Sequence, residues 1–470
     1  MGRIIRADYE QMYLLPPNVD EWVPSDHPAR FIRDFVDALD LEALGFAMPE
    51  GVDGRPAYAS DLLLKAWLHG YYHKIRSSRG LEKACYDSIS LVWLTGNAHP
   101  DHNTLWRFWT RNREALKEVF KSSVRVAVRN DLASLALQAV DGTKIQAQVS
   151  TERAEHHKDL EKQLARWDQA IEEVTAQVER AESEEEGSYR LPEGMTDAAA
   201  RRERIRRTLE EMDKAGVAHR HEREPEARVM KCREGKRLAY NAQAVSEAKN
   251  RLIVASEVTD AENDYGQLMP MIEAASEMVG EPAEETVADS GYWCGEQVAL
   301  AQERGTGVLV AVREPSKNRA SPYRQSAFRY DRARDVYVCP HGEALAFERT
   351  RKVRGKHLSR VYRCANRECP YRGACTRDPK GRSVEQSPFH EAVERQKARQ
   401  KRPDRQALLR RRKVIAEPPF ACVKHLLGFR RWTVRGIVNV RAQWAVVCAT
   451  VNLRVLYGYW KRGTLRLETA

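Results

Sequence analysis

Apolar side chains in the first 130 residues recur at intervals of three or four, which is the repeat of a helix with one buried face. Phe31, Phe35 and Leu39 follow this repeat. The pattern therefore predicts a mostly helical segment. We expect one helix that begins at Pro28 behind a cap at Ser25 or Asp26, two that run from Ser60 to Lys74 and from Gly80 to Leu94, and a fourth capped by Asn103 or Thr104. The basic residues expected along this fourth helix are Arg107, Arg111, Arg113 and Lys117.

Short apolar runs after residue 130 predict strands. They alternate with helical patterns, which indicates an α/β fold. The first strand is expected at Leu135–Val140, with a continuation to Ala147. Two more are expected at Leu238–Val245 and Arg251–Val258, joined by a turn at Glu247–Asn250. The last two are expected at Glu285–Ala288 and Gly307–Val312. Helices are expected over 264–279, capped by Asp264, over 294–304, and over 435–459.

A heptad pattern interrupts this α/β segment. Leu160, Leu164, Trp167, Ile171, Val174 and Val178 are spaced 4-3-4-3-4, which is the repeat of a helix–helix seam. A second helix over 197–214 offers Ile205, Leu209 and Met212 at matching intervals. The two complementary segments lie in one chain, so residues 151–224 are predicted to form an inserted antiparallel hairpin. A coiled coil between two copies of the chain is the alternative.

A second, charge-rich interruption spans residues 314–400. It contains Cys339, Cys364, Cys369 and Cys375, separated by 24, 4 and 5 residues. Four thiolates suit a tetrahedral structural zinc site, and His341 could replace one of them. Few large apolar side chains occur here, so a metal would help the segment to fold. The alternative is four unligated cysteines in an insertion without fixed structure.

Net charge and the lengths of the apolar runs limit the classes of function that the chain can have. The chain has 470 residues and a net charge of +11, which suits either a phosphate-rich partner or a solubilising surface. Neither an apolar run of membrane-spanning length nor an apolar signal-peptide core is seen in the sequence. The sequence thus predicts a soluble cytoplasmic protein with no membrane partner.

Three carboxylates follow apolar segments. Asp141 and Asp289 each follow a predicted strand, and Glu417 follows Val414–Ala416, with Lys424 seven residues later. Seven residues are about two helical turns, so Glu417 and Lys424 are expected to share a helix face. A single aspartate after a strand is more often a turn residue. Two strand aspartates with a helix glutamate are the parts of a two-metal phosphoryl-transfer site.

These motifs resemble the DDE transposases of bacterial insertion sequences. The resemblance lies in Val140–Thr143, Ala288–Tyr292 and the stretch from Glu417 to Lys424, and Tyr240–Gln243 and Asn263–Asp264 also match recurrent positions of the family. The last motif of the family has a Tyr and an Arg before its Glu, and this chain has Arg410 and Lys413 there. Arg411 or Arg412 could take the role of that Arg. Ser77–Ala84 and Pro100–Phe108 resemble the family's amino-terminal domain, which binds the element ends.

The resemblance implies an RNase H-like mixed-sheet core and a set of domains. These are a helical DNA-binding domain at 1–130, the first parts of the core at 131–150 and 225–313, the inserted hairpin at 151–224, the Cys-rich basic insertion at 314–400, and the rest of the core, with the catalytic Glu helix, at 401–470. Related transposases act as dimers or larger synaptic assemblies, so the same is expected here, on DNA of the bacterial nucleoid.

The resemblance also implies a reaction and its residues. Asp141, Asp289 and Glu417 would hold two Mg²⁺ or Mn²⁺ ions for cleavage and strand transfer at the terminal inverted repeats and target of double-stranded DNA. Alternatives are an RNase H-like nuclease without strand transfer, a repurposed non-catalytic DNA-binding protein, and an inactive element product. Phosphate contacts are expected from Lys144, Lys424, Arg431 and Arg435, and in the amino-terminal domain from Arg79, Arg107 and Arg111.

Overall fold

The computed structural model describes residues 18–48, 56–183, 195–312, 321–353 and 357–467. The chain divides into two compact units. The first unit comprises Met1–Ser134, Gly142–Glu262 and Glu417–Ala470, and the second comprises Leu135–Asp141 and Asn263–Ala416. The predicted domain boundaries stay predictions. Among the described helices, none is both long and apolar enough to cross a membrane.

Helices and strands alternate after residue 134, so the chain is of the α/β class. The helices are α1 (Val19–Trp22), α2 (Pro28–Asp37), α3 (Ser60–Tyr72), α4 (Ser78–Asp87), α5 (Ile89–Leu94), α6 (His102–Arg111), α7 (Arg113–Arg129), α8 (His157–Ser183), α9 (Met195–Ala215), α10 (Leu268–Val279), α11 (Gly295–Glu303), α12 (Arg372–Cys375), α13 (His390–Gln400), α14 (Pro403–Ala421) and α15 (Ile437–Trp460). A π-helical turn, Cys422–Leu426, follows α14.

Thirteen strands are seen in the described residues. They are β1 (Gln138–Gln146), β2 (Glu155–His156), β3 (His219–Arg220), β4 (Arg228–Cys232), β5 (Gly235–Glu247), β6 (Ile253–Thr259), β7 (Thr286–Ala288), β8 (Val308–Val310), β9 (Arg329–Asp331), β10 (Val336–Val338), β11 (Ala344–Val353), β12 (His357–Cys364) and β13 (Ser383–Gln386).

Helix α15 is the centre of the first unit. It is buried along most of its length, including Trp444, Cys448 and Leu456, and it packs on α7, α3 and β6. The Asn452 side chain accepts from the backbone N–H of Ile253 at 2.8 Å and donates to its C=O at 2.9 Å. Such bonds satisfy a buried amide that would otherwise cost free energy. They also fix the position of α15 along β6.

The predicted helix at Pro28 forms, but its predicted cap is wrong. Helix α2 begins at Pro28 and is capped by His27, not by Ser25 or Asp26. The His27 Nδ1 accepts from the Ala29 N–H at 3.0 Å. A histidine is not among the residues that commonly cap helices, so the sequence pattern favours the wrong residues.

Two more amino-terminal predictions are corrected. The helix expected over Gly80–Leu94 is two helices, α4 and α5, because Ser88 has an extended backbone. Helix α6 is capped by Asp101, whose Oδ1 accepts from the N–H groups of Asn103 and Thr104 at 2.8 and 2.9 Å. Asn103 and Thr104 therefore lie inside the helix that they were expected to cap.

In the first unit, β5 pairs antiparallel with both β4 and β6, and β1 is its other neighbour. The β5–β6 hairpin is the predicted one, and Glu247 closes its turn by accepting from the N–H groups of Lys249 and Asn250. Strand β4 pairs with the first residues of β5. Apolar patterns do not predict it, because the strand is short and carries Arg228 and Lys231 beside its apolar residues.

The heptad segment forms a helical hairpin within the chain. Leu160 of α8 packs with the buried Ile205, Leu209 and Met212 of α9. His157 contacts Asp213, and Asp168 pairs with Arg202, so the two helices run antiparallel. The side chain of Val178 lies outside the described residues. In its described part, the hairpin packs along the predicted seam within one chain.

The second unit has a parallel sheet. Strand β7 pairs with β1 on one side and with β8 on the other, both in parallel. Helix α10 begins at Leu268, so the predicted Asp264 cap is wrong. The residue before the helix is Gln267, and the Met269 N–H donates to the side chain of Gln297 at 2.9 Å.

The second unit also contains an antiparallel sheet in the order β13-β12-β11-β10-β9. This sheet contradicts the alternative of an insertion without fixed structure. It has a small core of its own, made by Tyr323, Phe328, Tyr337, Leu345, Tyr362 and Val384. Apolar patterns do not reveal these strands, because β11, for example, carries charged side chains at four of its ten positions and only Leu345 is buried there.

Candidate active site and DNA-binding residues

Asp141 and Asp289 are neighbours across two parallel strands. Val140 of β1 is in register with Ala288 of β7, so the two aspartates follow paired positions. Strand β7 ends at Ala288, whereas β1 continues to Gln146, so Asp141 lies within its strand and not at its end. Both side chains are partly exposed. The structure therefore brings the two predicted aspartates together at one place on the sheet.

Asp289 is held by the turn that follows it. Its Oδ1 accepts from the Gly291 N–H at 2.7 Å and so caps the 3₁₀ turn Ser290–Tyr292. A Cβ atom added at Gly291 would lie 2.9 Å from Asp289 Oδ1 and 3.3 Å from Asp264 Oδ2. Asp264 thus lies beside Asp289, although its sequence context predicts a helix cap. Its place next to Asn263, in a stretch that resembles the family, is the signal that could have found it.

Arg412 is the basic residue of α14 that faces this site. Its Nη1 lies 3.5 Å from Asp141 Oδ2, and the two side chains are 17% and 22% exposed. Arg411 and Lys413, the latter at the family's Arg position, are exposed. Of the two arginines that could replace the family's Arg, Arg412 is therefore the one whose side chain reaches an aspartate of the site.

A buried glutamate fixes the helices that lead to Arg412. Glu285 Oε2 accepts from Arg399 Nη2 at 2.5 Å and from Arg405 Nη1 at 2.6 Å, and the carboxylate is almost fully buried. Burial raises the pKa of Glu285, and the two arginines oppose that rise. Since Glu285 directly precedes β7, these bonds tie α13 and the start of α14 to the strand that leads to Asp289. No local pattern in the sequence signals this role.

Glu417 belongs to the first unit, and its side chain is exposed on α14. Pro418 and Pro419 follow it inside the helix. After Ala421 the chain widens into the π-helical turn, in which the Leu427 N–H donates to the Cys422 C=O at 2.8 Å. Lys424 lies in this turn, so the prediction of two regular α-helical turns between Glu417 and Lys424 is wrong. Single π-helical turns occur frequently at functional sites.

Basic residues predicted to contact phosphate also lie in the first unit. Burial raises the pKa of the Cys232 thiol, and Arg237, Lys144 and Lys424 all oppose that rise, so the two lysines lie near the same thiol. The Arg431 guanidinium donates to the backbone C=O of Ala147 at 3.2 Å and of Gln148 at 2.6 Å. It is therefore partly engaged with the chain that follows β1.

Arg435 is exposed and precedes Gly436. The buried Glu224 accepts from the Gly436 N–H at 3.3 Å and from the Val149 N–H at 3.1 Å. Burial raises the pKa of Glu224, and these two N–H groups oppose that rise. The glutamate fixes the backbone on which Arg435 stands, and no motif of the sequence points to it.

Three arginines of the amino-terminal segment are exposed, as a DNA contact requires. Arg79 lies in the first turn of α4, and Arg107 and Arg111 lie one turn apart on α6. The predicted continuation of this basic helix through Arg113 and Lys117 is wrong, because Asn112 separates α6 from α7.

His102 is the first residue of α6. Its Nδ1 lies 2.9 Å from Glu82 Oε2 on α4. This contact joins α4 and α6, which are the two helices that carry the exposed arginines. It agrees with a packing role for the histidine.

No group of three or more His, Cys, Asp or Glu side chains is arranged to hold a metal ion within the part of the chain that the structure describes. Asp141 and Asp289 nevertheless lie close to each other. The four cysteines form a second, separate set of neighbours. Burial, together with the neighbouring Cys339, Cys364 and Cys369, raises the pKa of Cys375, and Arg382 opposes it. The other three cysteines are therefore near enough to Cys375 in the second unit to influence its thiol.

Two segments match known protein families. Residues 338–457 match the "Transposase DDE domain" family, and residues 17–111 match the "Transposase domain (DUF772)" family. No curated protein matches the chain. The two matches agree with the resemblance seen in the motifs, and together they support a DDE transposase of an insertion sequence.

Proposed function

We propose that this transposase binds the ends of an insertion sequence, cuts DNA there and joins the cut strand to a target, with Asp141, Asp289 and Glu417 as its catalytic carboxylates. The observation that carries the proposal is the register of β1 and β7, which sets Asp141 beside Asp289. Support for Glu417 comes from its place in the motif of the sequence and from the match over residues 338–457.

An RNase H-like core is part of the proposal. The supporting observations are the antiparallel hairpin β5–β6, which follows β1 in the chain, and the parallel strands β7 and β8, which come after it. Strand, hairpin and strand in this order are what the resemblance to DDE transposases implies. Residues 151–224 would then be an insertion between the first strand and the hairpin.

The donor set fits a hard divalent cation. Carboxylate oxygens select Mg²⁺ or Mn²⁺ over zinc, and Asp141 and Asp289 supply such oxygens side by side. When bound, two such ions would activate the attacking oxygen and stabilise the leaving 3′-oxygen. The role of the chain is to hold the carboxylates in place: β1 and β7 fix Asp141 and Asp289, and the Gly291 N–H orients the second of them.

Double-stranded DNA is the proposed partner. Exposed Arg79, Arg107 and Arg111 would contact phosphates at the element ends, and Lys144, Lys424, Arg431 and Arg435 would contact phosphates near the chemistry. Phosphate contacts give affinity that falls as salt rises. A dimer or larger assembly on DNA is proposed because two ends must be held together for strand transfer.

The test is a cleavage assay with the full chain and DNA that contains the flanks of its gene, in Mg²⁺ or EDTA. Cuts at a pair of inverted repeats that need Mg²⁺ are expected with the natural chain. They should disappear in Asp289→Asn and Glu417→Gln, and persist in Glu277→Gln, which changes an exposed glutamate of α10. Joined products distinguish a transposase from a nuclease that only cuts. Binding without cuts would overturn the catalytic proposal.

A further inference from the structure

Four cysteines lie near one end of the antiparallel sheet of the second unit. We call Cys339, Cys364, Cys369 and Cys375 the thiol cluster. Cys339 directly follows β10, and Cys364 is the last residue of β12. Strand β11 joins them, because Val338 pairs with Ala344 and Cys364 pairs with Leu345. Cys375 ends the short helix α12, and Cys339, Cys364 and Cys375 all pack against the sheet's core.

The backbone around Cys339 is shaped for a sulfur anion. The N–H groups of His341 and Glu343 both point to Cys339 Sγ, each at 3.3 Å. Gly342 lies between them with φ +91°, a conformation that favours glycine. A neutral thiol is a weak acceptor, whereas an ionised acceptor makes stronger hydrogen bonds. Two donors on one sulfur therefore suit a thiolate, which is the form that binds a metal.

The backbone of Cys364 is held in place by the loop that precedes β13. Its N–H donates to the Arg382 C=O at 2.9 Å. A Cβ atom at Gly381 would collide with the Cys364 C=O oxygen, so the loop approaches the strand at a distance that only glycine allows. The loop before β13 thus fixes the backbone of Cys364 and restricts where its thiol can lie.

His341 has other partners. Its Nε2 is 2.9 Å from the Tyr323 hydroxyl, and its ring stacks on that of Tyr371 with centroids 3.6 Å apart. These contacts leave the four thiols as the donor set and place aromatic rings around it. All four cysteines are free and partly buried, so the cluster is partly shielded from bulk water.

We propose that Cys339, Cys364, Cys369 and Cys375 bind one structural Zn²⁺ ion through four thiolates. Thiolates are soft ligands that select zinc, and a four-cysteine site is closed and structural. In the described residues the thiols are not yet arranged around a common point, so binding must draw them together. The small core of this sheet would gain stability from the ion. This proposal is independent of the catalytic one.

The test measures metal content and ligand type on the full chain. One zinc per chain is expected after purification without chelator, and Co²⁺ in its place should give the thiolate charge-transfer absorption of a four-sulfur site. Cys364→Ser should lower zinc affinity at least about tenfold, as removal of a metal's supporting group does. Cys232→Ser is the matched control, since Cys232 is also free and partly buried but lies outside the cluster. It should keep the zinc.

Alkylation of the natural chain and a histidine variant test the zinc proposal further. Zinc should protect four of the nine cysteines from alkylation, and His341→Gln should keep both the zinc and the four-sulfur spectrum. The proposal is overturned if the natural chain binds no stoichiometric zinc after reconstitution. It is equally overturned if the cobalt spectrum shows nitrogen ligation that His341→Gln removes, or if Cys364→Ser binds as tightly as Cys232→Ser.

Discussion

Arg412 Nη1 lies 3.5 Å from Asp141 Oδ2, and both side chains are largely shielded from solvent. An arginine therefore faces a carboxylate that is proposed to hold a metal ion. A cation near a carboxylate competes with a second cation for it, so the arginine should weaken metal binding at Asp141. Arg412 would also be placed to meet the phosphate whose transfer the site is proposed to catalyse.

Removal of the Arg412 charge should therefore strengthen metal binding to the free protein. A partly exposed ion pair is worth about 0.2–1 kcal/mol, so Arg412→Ala should tighten Mn²⁺ binding by up to about fivefold. DNA cleavage by the same variant should fall, because the site then lacks its arginine. Calorimetry with Mn²⁺ and the cleavage assay measure the two effects separately.

Lys413→Ala is the matched control, because Lys413 is the next residue on α14 and is exposed. It should leave Mn²⁺ affinity unchanged. Unchanged or weaker Mn²⁺ binding by Arg412→Ala would show that the arginine does not compete for Asp141. Asp141→Asn in parallel shows whether the measured ion is at the proposed site at all.

Gly291 should tolerate no side chain. Its added Cβ would lie 2.9 Å from Asp289 Oδ1, a distance below ordinary van der Waals separation, so the carboxylate must move. Because small misplacements of catalytic groups are costly, Gly291→Ala should lower cleavage about 100-fold. Fold retention is checked by the thermal unfolding midpoint.

The matched variant for this change is Gly373→Ala, in the same unit, where an added Cβ meets nothing within 4 Å. It should cleave at the natural rate. A Gly291→Ala variant that folds and cleaves normally would mean that Asp289 has no fixed role, and the proposed site would need revision.

Exposed arginines on α6 should set the salt dependence of DNA binding. The logarithm of the DNA-binding constant falls linearly with the logarithm of the salt concentration. Removing one phosphate interaction reduces the steepness of that line by about 1. Arg107→Ala and Arg111→Ala are each expected to weaken binding with such a change in slope. Lys83→Ala, whose side chain is 81% exposed on α4 beside Asp87, should not. Equal effects of all three would indicate a general effect of net charge.

Periodic apolar patterns predict one part of the fold. The heptad seam from Leu160 predicts the α8–α9 hairpin, and apolar runs predict β5, β6 and β7, because burial of one face imposes such patterns. The sheet of β9–β13 escapes this reasoning, since β9 and β10 are only three residues long and β11 is exposed at most of its positions. Four aromatic residues, among them Tyr337 and Tyr362, make that core together with Leu345 and Val384, and no pattern marks them.

The candidate site is predictable only in part, for a similar reason. Asp141 and Asp289 each follow an apolar run of the sequence, which is a local signal. Contacts between residues far apart in the chain leave no such signal: the buried bonds of Glu285 join it to Arg399 and Arg405, more than a hundred residues later. The sequence predicts a cap at Asp264 because Asp favours that position, whereas its side chain lies near Gly291.

A buried histidine of the first unit should make the fold sensitive to acid. Burial, and then the neighbouring His73 and His27, lowers the pKa of His69 to about 3. Its Nε2 lies 3.0 Å from the Ser90 hydroxyl, and the ring lies on the buried side of α3, where water is excluded. In the unfolded chain the pKa of a histidine is about 6.5.

Between these two values the unfolded chain binds a proton that the folded chain does not, so stability rises with pH across that window. The contribution is complete above about pH 6.5 and declines progressively as pH falls towards about 3. At about pH 5 the free energy of unfolding should have fallen by about 2 kcal/mol, from about 1.36 kcal/mol per pKa unit.

Denaturant unfolding at about pH 7.5 and about pH 5, on either side of the ordinary histidine pKa, measures this effect. The difference in the free energy of unfolding should be smaller for His69→Gln than for the natural chain, because glutamine takes up no proton. His425→Gln, a change at an exposed histidine of the π-helical turn, should retain the full difference. Identical pH dependence in all three proteins would place the acid sensitivity in other groups and remove His69 as its source.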